Sequence, residues 1–220
     1  MFEIIKTISE QDIKDEFVAI GAYVSDSRIP QFSNGTPYHS LIIIKYQDEL
    51  FQFHYTGDPT LGILLDNSID SNCFHKITDT IDIKLIPAFI MMCKRILKNA
   101  NPKYGYFYSG EFYDIDGTHF SDKAIGERMT CSGFCLNVLK GFLEDDYIVY
   151  TDWDSSTHQL ENYLQDFCNI RGLNINEIEI SHRRISPLEL LSSGYYSNIP
   201  ITKEQVDSKI GSVEDYLKNY

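Results

Sequence analysis

A cysteine followed by two small residues opens the run Thr130-Cys131-Ser132-Gly133-Phe134-Cys135-Leu136-Asn137-Val138-Leu139. Phe134, Cys135, Val138, Leu139 and Phe142 fall at helical spacing, so the run predicts an amphipathic helix from Cys131 to Leu143 with the thiol at its N-terminus. A thiol there feels the positive end of the helix dipole, which favours the nucleophilic thiolate. Ser132 and Gly133 leave room for a substrate, and backbone amides at a helix start can stabilise an oxyanion. The nucleophile still needs a base. His39 opens the apolar run Leu41-Ile42-Ile43-Ile44, which reads as a strand, and the returning strand carries Gln52 and His54 on one face. Either could hydrogen-bond the far nitrogen of His39, His54 being the first choice and Gln52 the second.

Cys131-Ser132-Gly133-Phe134 resembles the cysteine motif of NlpC-type papain-like peptidases, and Tyr38-His39-Ser40-Leu41-Ile42-Ile43 resembles their histidine strand. Because His39 precedes Cys131, the similarity is to the circularly permuted branch, which includes lecithin-retinol-acyltransferase-like enzymes. Thr130 stands where that motif usually has aspartate. The resemblance covers residues 38–143. It implies a papain-like α+β core, an antiparallel sheet packed on the cysteine-bearing helix, and a strand after the histidine that bears the third polar residue.

The elements that must position these groups follow from local signals. Phe17 to Val24, Leu41 to Lys45 and Leu50 to Tyr55 read as strands, the last two forming a hairpin around Gln47-Asp48-Glu49. Leu85 to Asn99 has helical apolar spacing and is stopped by Asn101-Pro102. Tyr104 to Tyr108 alternates as a strand, and Tyr104, Tyr106, Tyr108, Phe112 and Tyr113 can line either a cleft or the core. Asp114-Ile115-Asp116-Gly117 has the opening of a calcium loop but lacks the closing glutamate, so a plain turn is expected. Tyr147 to Tyr150 and Ile175 to Ser181 are expected strands; Thr157 to Cys168 and Lys203 to Lys218 are expected helices. One domain over 1–220 is expected, with 154–220 as an elaboration beyond the core.

Composition bounds the function. The formal charge of -13 argues against nucleic acid or an anionic membrane surface as partner. Arg183-Arg184 reads as a solvated loop. The five cysteines, Cys73, Cys93, Cys131, Cys135 and Cys168, make no regular framework, which fits a reducing compartment. Cys131 and Cys135 lack a second pair at zinc-ligand spacing, so neither metal nor other cofactor is expected. The start, Met1-Phe2-Glu3-Ile4-Ile5-Lys6, is not that of a secretory signal, and Leu85 to Cys93 is too short to cross a bilayer, which points to the cytoplasm. His75, His119, His158 and His182 stand among polar residues and read as surface or turn histidines, His119 lying closest to the cysteine helix.

These readings lead to a thiol-dependent amidase or peptidase acting on a peptide-like amide, with acyl transfer from an ester as the neighbouring chemistry. The alternative is a non-catalytic interaction or immunity-like module on the same scaffold, its acidic surface suited to a basic protein.

Overall fold

Long β-branched runs between polar turns build a sheet first. In the computed structural model, which describes residues 4–7, 15–26, 32–105, 110–121, 127–143, 145–153, 169 and 184–220, six strands form one sheet. They are β1 (Ile5–Lys6), β2 (Phe17–Val24), β3 (Pro37–Tyr46), β4 (Glu49–Tyr55), β5 (Ile63–Asp66) and β6 (Cys73–Ile77). Their order is β1-β6-β2-β3-β4-β5, and every pairing is antiparallel. After α1 (Ile86–Asn99) come four two-residue strands: β7 (Lys103–Tyr104), β8 (Phe112–Tyr113), β9 (His119–Phe120) and β10 (Arg128–Met129). Then follow α2 (Cys131–Leu143), α3 (Pro187–Ser193) and α4 (Lys203–Asn219).

The chain is therefore α+β, with the cysteine helix packed on an antiparallel sheet. Alternation along the strands sends Ile20, Ile42, Ile44 and Phe53 to one face, where they meet Phe134, Leu136, Val138 and Leu139 of α2 and Phe89, Met92 and Ile96 of α1. Ala19, Leu41, Ile43 and Cys73 point to the opposite face and form a separate cluster. Leu190 of α3 and Val206 of α4 join the α2 side, and Leu191, Val213 and Leu217 pack there on Ala22 and Phe74. The C-terminal helices thus cover a sheet face.

Several local expectations change. β3 starts at Pro37, four residues before the apolar run, because Tyr23 and His39 continue the β2–β3 ladder. β5 and β6 were not foreseen: at four and five residues each is too short for periodicity to show. α3 was also missed, although Ser186 and Glu189 form a capping box that announces it. Tyr147 to Tyr150 is no strand; Ile148 makes one isolated bridge to Ile201, and a 3-10 turn starts at Tyr150. The Asp114 carboxylate accepts the amides of Asp116 and Thr118, so that segment is a turn closed on itself. Gly117 has φ +80 there and lies against the backbone of Arg95 and Ile96, which a side chain could not do. The expected elements at 157–168 and 175–181 lie outside the described residues, as do Tyr106 and Tyr108.

Gly141 lets β8 reach α2. A Cβ on it would stand 1.6 Å from the Tyr113 carbonyl oxygen, whereas one on Gly211 in α4 would meet nothing within 4 Å. Gly141→Ala should therefore destabilise by about 3 kcal/mol or more. Gly211→Ala should stabilise by about 0.5–1 kcal/mol, because alanine loses less backbone entropy in a helix. Urea denaturation midpoints of the two variants check both signs.

Candidate active site

The first turn of α2 is set by Thr130. Its hydroxyl accepts the amide of Gly133 at 3.0 Å and its carbonyl accepts Phe134 at 2.9 Å, an N-cap supplied by threonine at the position of the expected aspartate. The amide of Gly133 is thereby committed to the cap and does not point at a substrate carbonyl. Ser132, buried, exchanges a 2.7 Å hydrogen bond with Ser40 of β3, also buried. The Ser40 amide donates to Cys131 Sγ at 3.4 Å. That amide is available because the β3–β4 ladder runs only from Tyr46↔Glu49 to Ile42↔Phe53, so the strands have parted at Ser40. The thiol sits against the opening.

Next to Ser40, His39 points to the other face of the sheet. Its Nε2 lies 2.7 Å from His54 Nδ1, and the two rings meet edge to face with centroids 4.9 Å apart. Burial, together with the neighbouring His54, lowers the pKa of His39 to about 3. Burial lowers that of His54 to about 4, with Asp66 opposing. Both imidazoles are neutral at neutral pH, and they can share one proton along the Nε2–Nδ1 line.

Cys131 behaves differently from the expectation at a helix start. Burial pushes its thiol above the ordinary value, although the amides of Ser40 and Ser132 and both serine hydroxyls favour the thiolate. Removing the thiolate from water costs more than the helix end and these donors return. Sγ hydrogen-bonds to Ser40, while the His39 ring bonds to His54. The sulfur and the imidazole are thus brought to adjacent positions of β3 without a hydrogen bond between them.

Gln52 sits beside this pair in a different role. Its amide nitrogen donates to Asp66 Oδ1 at 2.9 Å and to the Ser68 carbonyl at 3.1 Å, and its Oε1 accepts from the Tyr23 hydroxyl. His54, and not Gln52, meets His39. Tyr23, Ser40 and Asp66 were not among the site residues expected from the sequence. Ser40 was visible as a small polar residue in an apolar strand; Tyr23 and Asp66 depend on register, Tyr23↔His39 and Gln52↔Asp66.

The remaining candidates lie elsewhere. His75 is a buried β6 residue stacked on Phe17 at 5.2 Å, with Thr7 Oγ1 3.0 Å from its Nδ1, because β6 is an interior strand. His119 Nε2 lies 3.4 Å from buried Glu111. Tyr113 is fully buried against Phe134, hence core and not cleft. Cys73, Cys93 and Cys135 are buried and reduced; Cys168, His158, His182 and Arg183 lie outside the described residues. A cavity of about 300 Å³ lined by Phe17, Ile77, Ile81, Ile86 and three carboxylates opens at the Phe17 end of β2, away from Tyr23. Among the described residues no three His, Cys, Asp or Glu group to hold a metal, and no helix is long and apolar enough to cross a membrane. No family model matches the chain, and neither does any curated protein or solved structure.

Two outcomes follow from the charges. Each imidazole has a folded pKa below its unfolded value of 6.5, so the unfolded chain binds more protons between 6.5 and about 3 for His39, and between 6.5 and about 4 for His54. Their contribution is complete above 6.5 and is lost as pH falls, by about 1.4 kcal/mol per pH unit for each imidazole well below 6.5. Urea midpoints measured at falling pH should drop accordingly, and less steeply in His54→Gln. Iodoacetamide should alkylate Cys131 slowly at mildly acidic pH and faster in alkali, read by peptide mass.

Proposed function

We propose that this protein is a thiol-dependent hydrolase of a peptide-like amide, built on a permuted papain-like core, with Cys131 as nucleophile, His39 as base and His54 as its orienting partner. The observation that supports it is that the helix-start thiol accepts the amide of Ser40 while the preceding residue, His39, pairs with buried His54 at the same strand opening, both imidazoles neutral. With Nε2 of His39 turned to His54 on the face opposite α2, Nδ1 is the nitrogen left for the thiol proton, which reaches it through one water in the opening between β3 and β4. Nε2 then carries the hydrogen and donates to His54 Nδ1, which stabilises the imidazolium that forms. Sγ attacks the amide carbon as its proton passes to Nδ1. The C–N bond breaks as Nδ1 protonates the departing amine, leaving a thioester. Water, giving its proton to Nδ1, then adds to the thioester, and the acid leaves as the thiolate recovers the proton. A neutral resting pair makes this general-base attack, in which the proton moves with the bond, and thiol–imidazole bonds absent at rest tighten in substrate complexes. The cytoplasm is the proposed site of action, and the substrate a peptide or protein amide.

The interaction module on the same scaffold remains a second reading, favoured by one observation: the thiol is partly buried, protonated and hydrogen-bonded to Ser40, not to His39.

Incubation with peptide, muropeptide and lipid ester panels, followed by acid quench and intact mass, separates them. The amidase reading expects an acyl adduct on Cys131 from a peptide-type substrate, none in Cys131→Ala, and formation at least ~100-fold slower in His39→Ala. An adduct from lipid esters alone overturns the amide preference. No adduct from any panel, with Cys131 labelled no more readily than the buried cysteines, selects the interaction module.

A further inference from the structure

Face-on to His39, and edge-on to His54, stands the ring of Tyr23. Its centroid lies 5.9 Å from that of His39 at an interplanar angle of 21°, and 6.2 Å from that of His54 at 86°. One end of the tyrosine is therefore packed on both imidazoles. The other end is anchored: its hydroxyl donates to Gln52 Oε1. Gln52 cannot turn away, because its amide nitrogen is held by both Asp66 Oδ1 and the Ser68 carbonyl, which also fixes Oε1 towards Tyr23. Gln52 and His54 are buried. In this polar chain Gln52 has its amide satisfied, whereas His54 Nε2 has no partner among the described residues, so the Tyr23–Gln52–Asp66 arm is the part that specifies one arrangement.

We propose that Tyr23 is a positioning residue for the His39–His54 pair, locked by Gln52 and Asp66 and holding the two rings in line and away from water. Gln52 thus acts on His39 through Tyr23 and not by direct contact. The inference takes its catalytic meaning from the amidase reading, but its test needs no substrate. The charged and titratable groups around the pair are Tyr23 on β2, Asp66 on β5, Asp70 before β6, Cys73 opposite Tyr23 on β6, and Cys131 beside Ser40. Asp66 and Asp70 would favour a charged imidazole, so a pair opened to water titrates more readily for two reasons.

The test follows His39 and His54 by imidazole ¹⁵N and ¹³C NMR titration of the full chain in a Cys131→Ala background, which removes the thiol's own proton. Tyr23→Leu removes the ring and should raise the His39 titration by about one pH unit or more towards its ordinary value. Tyr23→Phe keeps the stack and loses the anchor, so it should shift less. Gln52→Met should shift His39 by as much as Tyr23→Phe, and the double variant by no more than either, since one link is cut in all three. An unchanged His39 titration in folded Tyr23→Leu overturns the proposal, and additive shifts in the double variant overturn the link through Gln52. If Tyr23→Leu does not fold, Tyr23→Phe and Gln52→Met alone decide, and unchanged titration in both overturns it. Failure here leaves an acyl adduct on Cys131 untouched, and absence of that adduct leaves the titrations untouched.

Discussion

Ser40 meets the first turn of α2 twice, through its amide to Cys131 Sγ at 3.4 Å and through its hydroxyl to Ser132 Oγ at 2.7 Å. These two contacts, between residues 91 and 92 positions apart, fix the helix start against a strand whose next residue is His39. They are made in a dry setting, where an unmade hydrogen bond costs about 1–3 kcal/mol. The helix is therefore registered on the strand, not merely pressed against it. The apolar face of α2 supplies adhesion to Phe53, Ile42 and Ile44, but adhesion alone would tolerate sliding along the sheet. The polar contacts do not.

The parting of β3 and β4 is what makes this possible. A strand amide inside a complete ladder is committed to its neighbour; beyond Ile42↔Phe53 the Ser40 amide is not, and it takes the thiol. The same opening lets His39 and His54 close on each other across the gap, on the face opposite α2. Side-chain alternation then divides the labour. Odd-numbered residues of β3 carry the imidazole chemistry, and even-numbered ones dock the helix. Tyr23 caps the imidazole side with an aromatic wall anchored at its far end.

The protonation state of the resting site is a contest of magnitudes. A helix N-terminus is worth about 0.3–1 kcal/mol to a negative charge at an exposed position, and up to about 2 when partly buried. Withdrawing an ion from water costs several kcal/mol. Burial therefore prevails for Cys131, and it prevails again for His39 and His54, whose pKa values fall to about 3 and about 4. Two neutral partners are the result.

Much of this was legible in the chain itself. Periodicity alone places α2 from Cys131 to Leu143 and β2 from Phe17 to Val24, because long amphipathic segments carry their own signal. The turn chemistry of residues 47–49 and the helix-start position of Cys131 were likewise local properties. So was the choice of His54 ahead of Gln52 only in part: both lie on one strand face, and spacing cannot say which ring or amide reaches His39. Tertiary structure decided that, through the register Gln52↔Asp66, which draws Gln52 to the next strand and leaves His54 to its neighbour. It also decided the burial of His75 in an interior strand, the facing of Tyr23 on His39, and the charge of Cys131. The physical reason is common to all of them. Helix position and strand phase are fixed by residues a few places apart, whereas desolvation, strand register and ring contact depend on groups brought together from tens of positions away.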